Sequence, residues 1–175
     1  MSPAMSSVTF PEVRVESALV PITHQFRDTT RLYGRALTGV THDALLMRPG
    51  PESNPLLWIA GHLVQQRTRL LGALGPTRQL PWDDLFGTGS IIGDLTLYPS
   101  VGELEAVWRS VTNELVHRLE SVSGASLAAP SPSWLRTNDG TLLGALAFAA
   151  MHEAYHVGQM GFLRKWLGLD PIFDG

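Results

Sequence analysis

Met151-His152-Glu153-Ala154-Tyr155-His156-Val157-Gly158-Gln159 sets two histidines four residues apart inside a long apolar run. At 3.6 residues per turn, positions i and i+4 lie about 40° apart on a helix, so both imidazoles can reach one metal ion. A lone buried histidine is more often held by ordinary hydrogen bonds. Two on one apolar face carry a joint desolvation cost that metal ligation offsets. The run extends from Gly140-Thr141 to about Leu167, where Gly168 and then Asp170-Pro171 stop it, and it reads as one helix that is apolar nearly all round and therefore the most buried. Its inward face is expected to carry Leu142, Leu146, Ala149, His152, His156, Met160, Leu163 and Leu167.

Three further long helices precede it. Leu19, Ile22, Phe26, Tyr33 and Leu37 recur at helical spacing, with Pro21 suited to a first turn and Gly39 to an end. Thr41 to Leu46 can form one short capped turn before Arg48-Pro49-Gly50-Pro51 breaks the chain. Ser53-Asn54-Pro55 is a helix start, with Ser53 or Asn54 as cap and Pro55 first in the helix, which then runs to about Ala73. His62 lies on the flank of that helix's apolar stripe, on the side of Trp58, Gln66 and Arg69. Leu104, Val107, Trp108, Val111, Leu115, Leu119 and Val122 mark a helix over 101–122. His24, His42 and His117 fall away from the apolar stripes and read as surface residues.

The connections differ in character. Residues 78–100 have no helical period, yet Trp82, Leu85 and Phe86 are too apolar for a freely solvated loop. Either they tack the loop to the core or the segment folds over one end of the helices and closes a site. Residues 123–140 read as a connection anchored by Trp134 and Leu135, and residues 1–11 as a loose lead-in. The expected fold is all-α: a four-helix bundle with long connecting loops, forming a single domain over 1–175.

Composition narrows the function classes. An apolar share of 44% with 17% charged residues fits a globular chain with a filled core, and a net charge of −3 without a Lys/Arg cluster gives no footprint for nucleic acid or an anionic membrane surface. There is no cysteine, which removes disulfides, thiolate zinc sites and a protein-borne thiol nucleophile together. Neither a secretory signal nor a spanning segment is evident, so the cytoplasm is the default expectation.

His152-Glu153-Ala154-Tyr155-His156 also matches H-E-x-x-H, the zinc-protease pattern in which the glutamate is the general base. The longer metzincin form needs Gly at 159 and His at 162, where this chain has Gln159 and Phe162. A ligand from a later helix is disfavoured because only 19 residues follow His156, and no strand is expected to hold a peptide substrate. The remaining arrangement is His62 with His152 and His156, three imidazoles that leave coordination positions open. A half-exposed histidine without a role would look the same as His62. Gln159, on the face of His156, is a candidate to orient an imidazole or a metal-bound water.

Two segments carry a family resemblance. Asn54-Pro55-Leu56-Leu57-Trp58-Ile59-Ala60-Gly61-His62-Leu63 resembles the second-helix ligand segment of the DinB-like bundles, and His152 to Gln159 resembles their final-helix H-x-x-x-H-x-G-Q segment. That family includes metal-dependent thiol transferases and mycothiol-dependent maleylpyruvate isomerases. The resemblance implies a divalent metal on His62, His152 and His156, a four-helix bundle and a homodimer.

The first functional expectation is a metal-dependent transferase that activates a low-molecular-weight thiol against an electrophilic small molecule, the metal holding the sulfur as thiolate. Zinc and nickel stand ahead of iron and manganese as the ion. Arg69, about two turns beyond His62, could pair with a substrate carboxylate. A metal-dependent hydrolase with Glu153, Asp83 or Asp84 as base is the alternative, although Glu153 lies about 100° round the helix from His152. A non-enzymatic metal cross-link or stress-response bundle is the third.

Overall fold

The computed structural model describes residues 16–87 and 93–173; the lead-in expected over residues 1–11 lies outside them. Among the described residues there are six helices, α1 (Val20–Leu37), α2 (His42–Leu46), α3 (Leu56–Leu74), α4 (Val101–Ser121), α5 (Gly124–Ala128) and α6 (Leu142–Trp166), and no strand beyond an isolated bridge between Pro130 and Thr141. The four long helices are those expected. The short α2 carries its Thr41 cap, the hydroxyl accepting from the Ala44 amide at 3.3 Å. The short α5, capped by Ser123, stands where only a connection was expected, because five residues are too few to show a period.

Local chemistry sets the helix ends. Ser100 and Glu103 form a reciprocal capping box at the start of α4, with the Glu103 carboxylate accepting from the Ser100 amide at 2.8 Å. The Thr141 hydroxyl accepts from the Gly144 amide at 2.9 Å and opens α6, while Gly168, at φ 76°, closes it. The start of α3 departs from expectation. Pro55 itself occupies the cap position and neither Ser53 nor Asn54 supplies a side-chain cap, so Leu56 is the first helical residue.

In the bundle α1 packs chiefly on α6, α3 packs on both α4 and α6, and α1 meets α4 more lightly. The most buried helix is α3, not α6: from Leu56 to Leu71 every residue but Gln66 and Arg69 is buried. On α6, Met151, Tyr155, Phe162 and Trp166 stay exposed. Of the face expected to point inward, Leu142, Leu146, His156, Met160 and Leu163 are buried; the buried face extends past them to Ala150, Glu153, Val157 and Arg164, a modest rotation that leaves Ala149, His152 and Leu167 at its edge.

A charged residue fixes that rotation. Glu153 is buried at the centre of the bundle, where its Oε1 accepts from Arg67 Nε at 2.8 Å and its Oε2 from Arg67 Nη2 at 2.5 Å and Thr29 at 2.9 Å. Arg67 also donates to Thr30 at 2.8 Å and Thr112 at 2.6 Å, and its guanidinium lies 3.6 Å from the Trp108 ring centroid. One network thus joins α1, α3, α4 and α6. With nearly every α6 position apolar, hydrophobic burial alone discriminates weakly between rotations, whereas only one rotation gives Glu153 its partner.

Candidate metal centre

His62 from α3 and His152 and His156 from α6 converge so that one ring nitrogen of each lies within 4.8 Å of the others. Nε2 of His152 and Nε2 of His156 are 3.1 Å apart. Two nitrogens bound to one tetrahedral ion at 2.0–2.1 Å sit about 3.3 Å apart, so the pair is already near ligating separation. The rings cross steeply, at 63–76°, so their edges point toward a common centre instead of stacking.

Outer hydrogen bonds select the nitrogens that face this centre. His62 Nδ1 lies 2.7 Å from the Phe86 carbonyl, which can only accept, so Nδ1 carries the proton and Nε2 keeps its lone pair. His156 Nδ1 donates to Gln159 Oε1 at 2.7 Å, and Gln159 Nε2 in turn donates to the Tyr155 hydroxyl at 3.1 Å. Gln159 therefore occupies the orienting position anticipated for it. Burial pushes all three histidines below their ordinary range. For His156 it does so together with the neighbouring His152 and His62, against the opposing Gln159 bond, down to about 4. His62 and His156 thus turn their Nε2 lone pairs inward, and together with His152 they form a set of imidazoles that fits a borderline divalent ion.

The segment from Leu80 to Gly87 is part of this centre. Phe86 is buried with its ring against Gly61, where a Cβ would stand 2.1 Å from ring carbons, so the close approach requires glycine. Trp58 stacks on His62 at 4.9 Å and donates from its indole to the Leu85 carbonyl at 3.2 Å. The Gln65 amide donates to the Asp83 carbonyl, and Asp83 Oδ2 accepts from the Leu80 amide at 2.9 Å. The loop's apolar residues do tack it to the core, and the same seating delivers the Phe86 carbonyl to His62.

The other candidates divide. Glu153, next to His152 in sequence, points into the core with both oxygens engaged and does not join the imidazoles. Arg69 is exposed one turn beyond Gln65, lining an open cavity of about 700 Å³ with Gln65, Thr68, Asp83, Asp84 and Trp134. Trp134 is a wall of that cavity and remains 44% exposed, whereas Leu135 packs against the core as expected. His24, His42 and His117 are exposed and remote from the cluster. Arg67 was not anticipated. Its signal is position: it lies between Leu63-Val64 and Leu70-Leu71 on the buried side of α3, an unusual place for a charge without a partner.

Four long helices, two of which contribute three convergent imidazoles, define an all-α bundle with a histidine group that could hold a metal ion. The chain belongs to the DinB superfamily, whose family model matches residues 25–160 and so includes all three histidines. Comparison with curated proteins returns no match. Among the described residues no helix is long and apolar enough to cross a membrane.

Proposed function

We propose that this DinB-superfamily protein is a metal-dependent transferase that activates a low-molecular-weight thiol for attack on an electrophilic small molecule. The observation that carries the reading is the convergence of His62, His152 and His156, with the Nδ1 protons of His62 and His156 already committed outward. A divalent ion held by three imidazoles, with zinc and nickel ahead of iron and manganese, keeps positions open and lowers the pKa of a thiol that reaches it. The protein's own groups hold the site ready. Phe86 and Gln159 orient two rings, burial keeps the imidazoles neutral, and the absence of cysteine means that the nucleophilic sulfur arrives with a cosubstrate. This reading belongs in the cytoplasm, where small thiols are kept reduced.

Hydrolysis with Glu153 as base has little support, because that carboxylate is buried against Arg67 and Thr29. A homodimer accompanies the thiol reading. Met151, Tyr155, Phe162 and Trp166 form an exposed apolar stripe along α6, and Tyr155 also accepts the Gln159 hydrogen bond beside the site. Sedimentation should give a dimer that Phe162→Asp converts to monomer; a monomeric parent protein rejects that part. For the chemistry, small thiols should add a sulfur-to-metal charge-transfer band to the cobalt-substituted protein. No band with any thiol contradicts the thiol reading.

A further inference from the structure

The outer face of α6 reaches the histidine cluster through one residue. From Leu142 to Leu163 the only charged residue is Glu153, and it is buried, so this length of helix turns a face without charge toward water. Its exposed residues there are Ala147, Met151, Ala154, Tyr155, Gly158 and Phe162. At 3.6 residues per turn they fall within an arc of about 100°, along a strip about 22 Å long. Met151, Tyr155, Phe162 and, beyond them, Trp166 are 43–63% exposed. Four bulky side chains of about 200 Å² each, about half exposed, present roughly 400 Å² of apolar surface, which is half of what one side of a standard interface buries. A Cβ at Gly158 would meet nothing within 4 Å, so the backbone at the middle of the strip lies open to a close neighbour. An uncharged strip offers nothing to a charged partner and is matched by its own copy across a two-fold axis.

Tyr155 belongs to this strip and to the site. Its ring is 61% exposed and meets His156 edge-on at 5.0 Å between centroids, and its hydroxyl accepts from Gln159 Nε2 at 3.1 Å. Gln159 Oε1 in turn accepts from His156 Nδ1 at 2.7 Å. The direction of that amide sets the tautomer. With Gln159 reversed, an N–H would face Nδ1 and the imidazole proton would move to Nε2, the nitrogen 3.1 Å from His152 Nε2. In a single chain the outer end of the relay is a phenol in water, which competes for both the hydroxyl and the amide.

We propose that pairing of two copies through this strip raises the metal affinity of both, with Tyr155 carrying the coupling through Gln159 to His156. The inference rests on the dimer described above and is independent of the thiol chemistry. A copy seated on Tyr155 excludes water from the relay and holds the ring against His156, so the order that ligation requires is in place before the ion arrives. Linkage makes the effect reciprocal: an ion bound more tightly by the dimer must also tighten the dimer.

Zinc is the probe. Sedimentation of the parent protein over a concentration series, metal-free and zinc-loaded, should show the dimer dissociation constant falling about a hundredfold with zinc, about tenfold for each of two sites. Chelator competition should show zinc bound about tenfold more weakly by the Phe162→Asp monomer. Tyr155→Phe, which keeps the ring and loses the hydroxyl, should still dimerise but lose most of the zinc dependence. Circular dichroism checks the fold of each variant, and the zinc dependence of the parent dimer needs no variant. A parent protein that is monomeric with and without zinc removes the dimer and the coupling together. A dimer indifferent to zinc, or a Phe162→Asp monomer that binds zinc as tightly as the parent, overturns the coupling and leaves the dimer standing. Full zinc dependence in Tyr155→Phe overturns the route through Tyr155.

Discussion

Replacing Glu153 by Gln removes one charge from the centre of the bundle while keeping its shape. Glu153 accepts two hydrogen bonds from Arg67 and one from Thr29, and Arg67 has no exposed side-chain surface. The amide can keep one acceptor but turns a donor toward the guanidinium or Thr29, and it leaves the cation without its counter-charge. Removing one partner of a buried pair costs about 3–5 kcal/mol. Thr30, Thr112 and the Trp108 ring still contact Arg67, which places the loss toward the lower end, about 3 kcal/mol. For a chain of this size that lowers the melting temperature by about 6–12 °C. Calorimetry on the metal-free protein measures it, and metal content should stay unchanged at temperatures where the variant is folded. A loss below about 1 kcal/mol, typical of a solvent-exposed pair, refutes the reasoning. So does a fully stable variant that has lost activity, since that would return Glu153 to the chemistry.

Two smaller perturbations probe the triad's surroundings. Gln159→Leu removes the acceptor from His156 Nδ1 and should weaken metal affinity about 10–100-fold, with unfolding of the metal-free protein little changed; unaltered affinity in a metal-chelator competition rejects the orienting role. The second concerns pH. His156 is held down to about 4 by burial and its histidine neighbours, against an ordinary value of 6.5, so between those limits the unfolded chain binds a proton that the folded chain refuses. Stability of the metal-free protein present above 6.5 should therefore fall as the pH drops toward 4. Urea midpoints at several pH values test this, and a midpoint that rises on acidification contradicts it.

The histidine cluster was legible because its signal is local. His152 and His156 share a face by spacing alone, and His62 stood out as a histidine on the flank of an apolar helix. The rotation of α6 was legible in part: Leu142, Leu146, His156, Met160 and Leu163 of the expected face are buried, while the extension of that face to Glu153 and Val157 was not anticipated. Glu153 decides that rotation through Arg67, 86 residues away in sequence, and neither residue announces the other. The contribution of the 80–87 segment was hidden for a different reason. The group that orients His62 is the Phe86 backbone carbonyl, which every residue type possesses, and only the fit of the Phe86 ring over Gly61 brings it there. Arg69 could be placed on the side of His62 from helical spacing, but the cavity around it depends on Asp84 and Trp134 arriving from two separate connections.

The central claim is that His62, His152 and His156 hold one divalent ion. Elemental analysis of the purified protein beside His62→Ala, His152→Ala and His156→Ala, with folding checked by circular dichroism, tests it most directly. About one ion per chain is expected in the parent protein and a marked loss in each folded variant, since a three-ligand site does not survive removal of one ligand intact. Unchanged metal content in His152→Ala would contradict it.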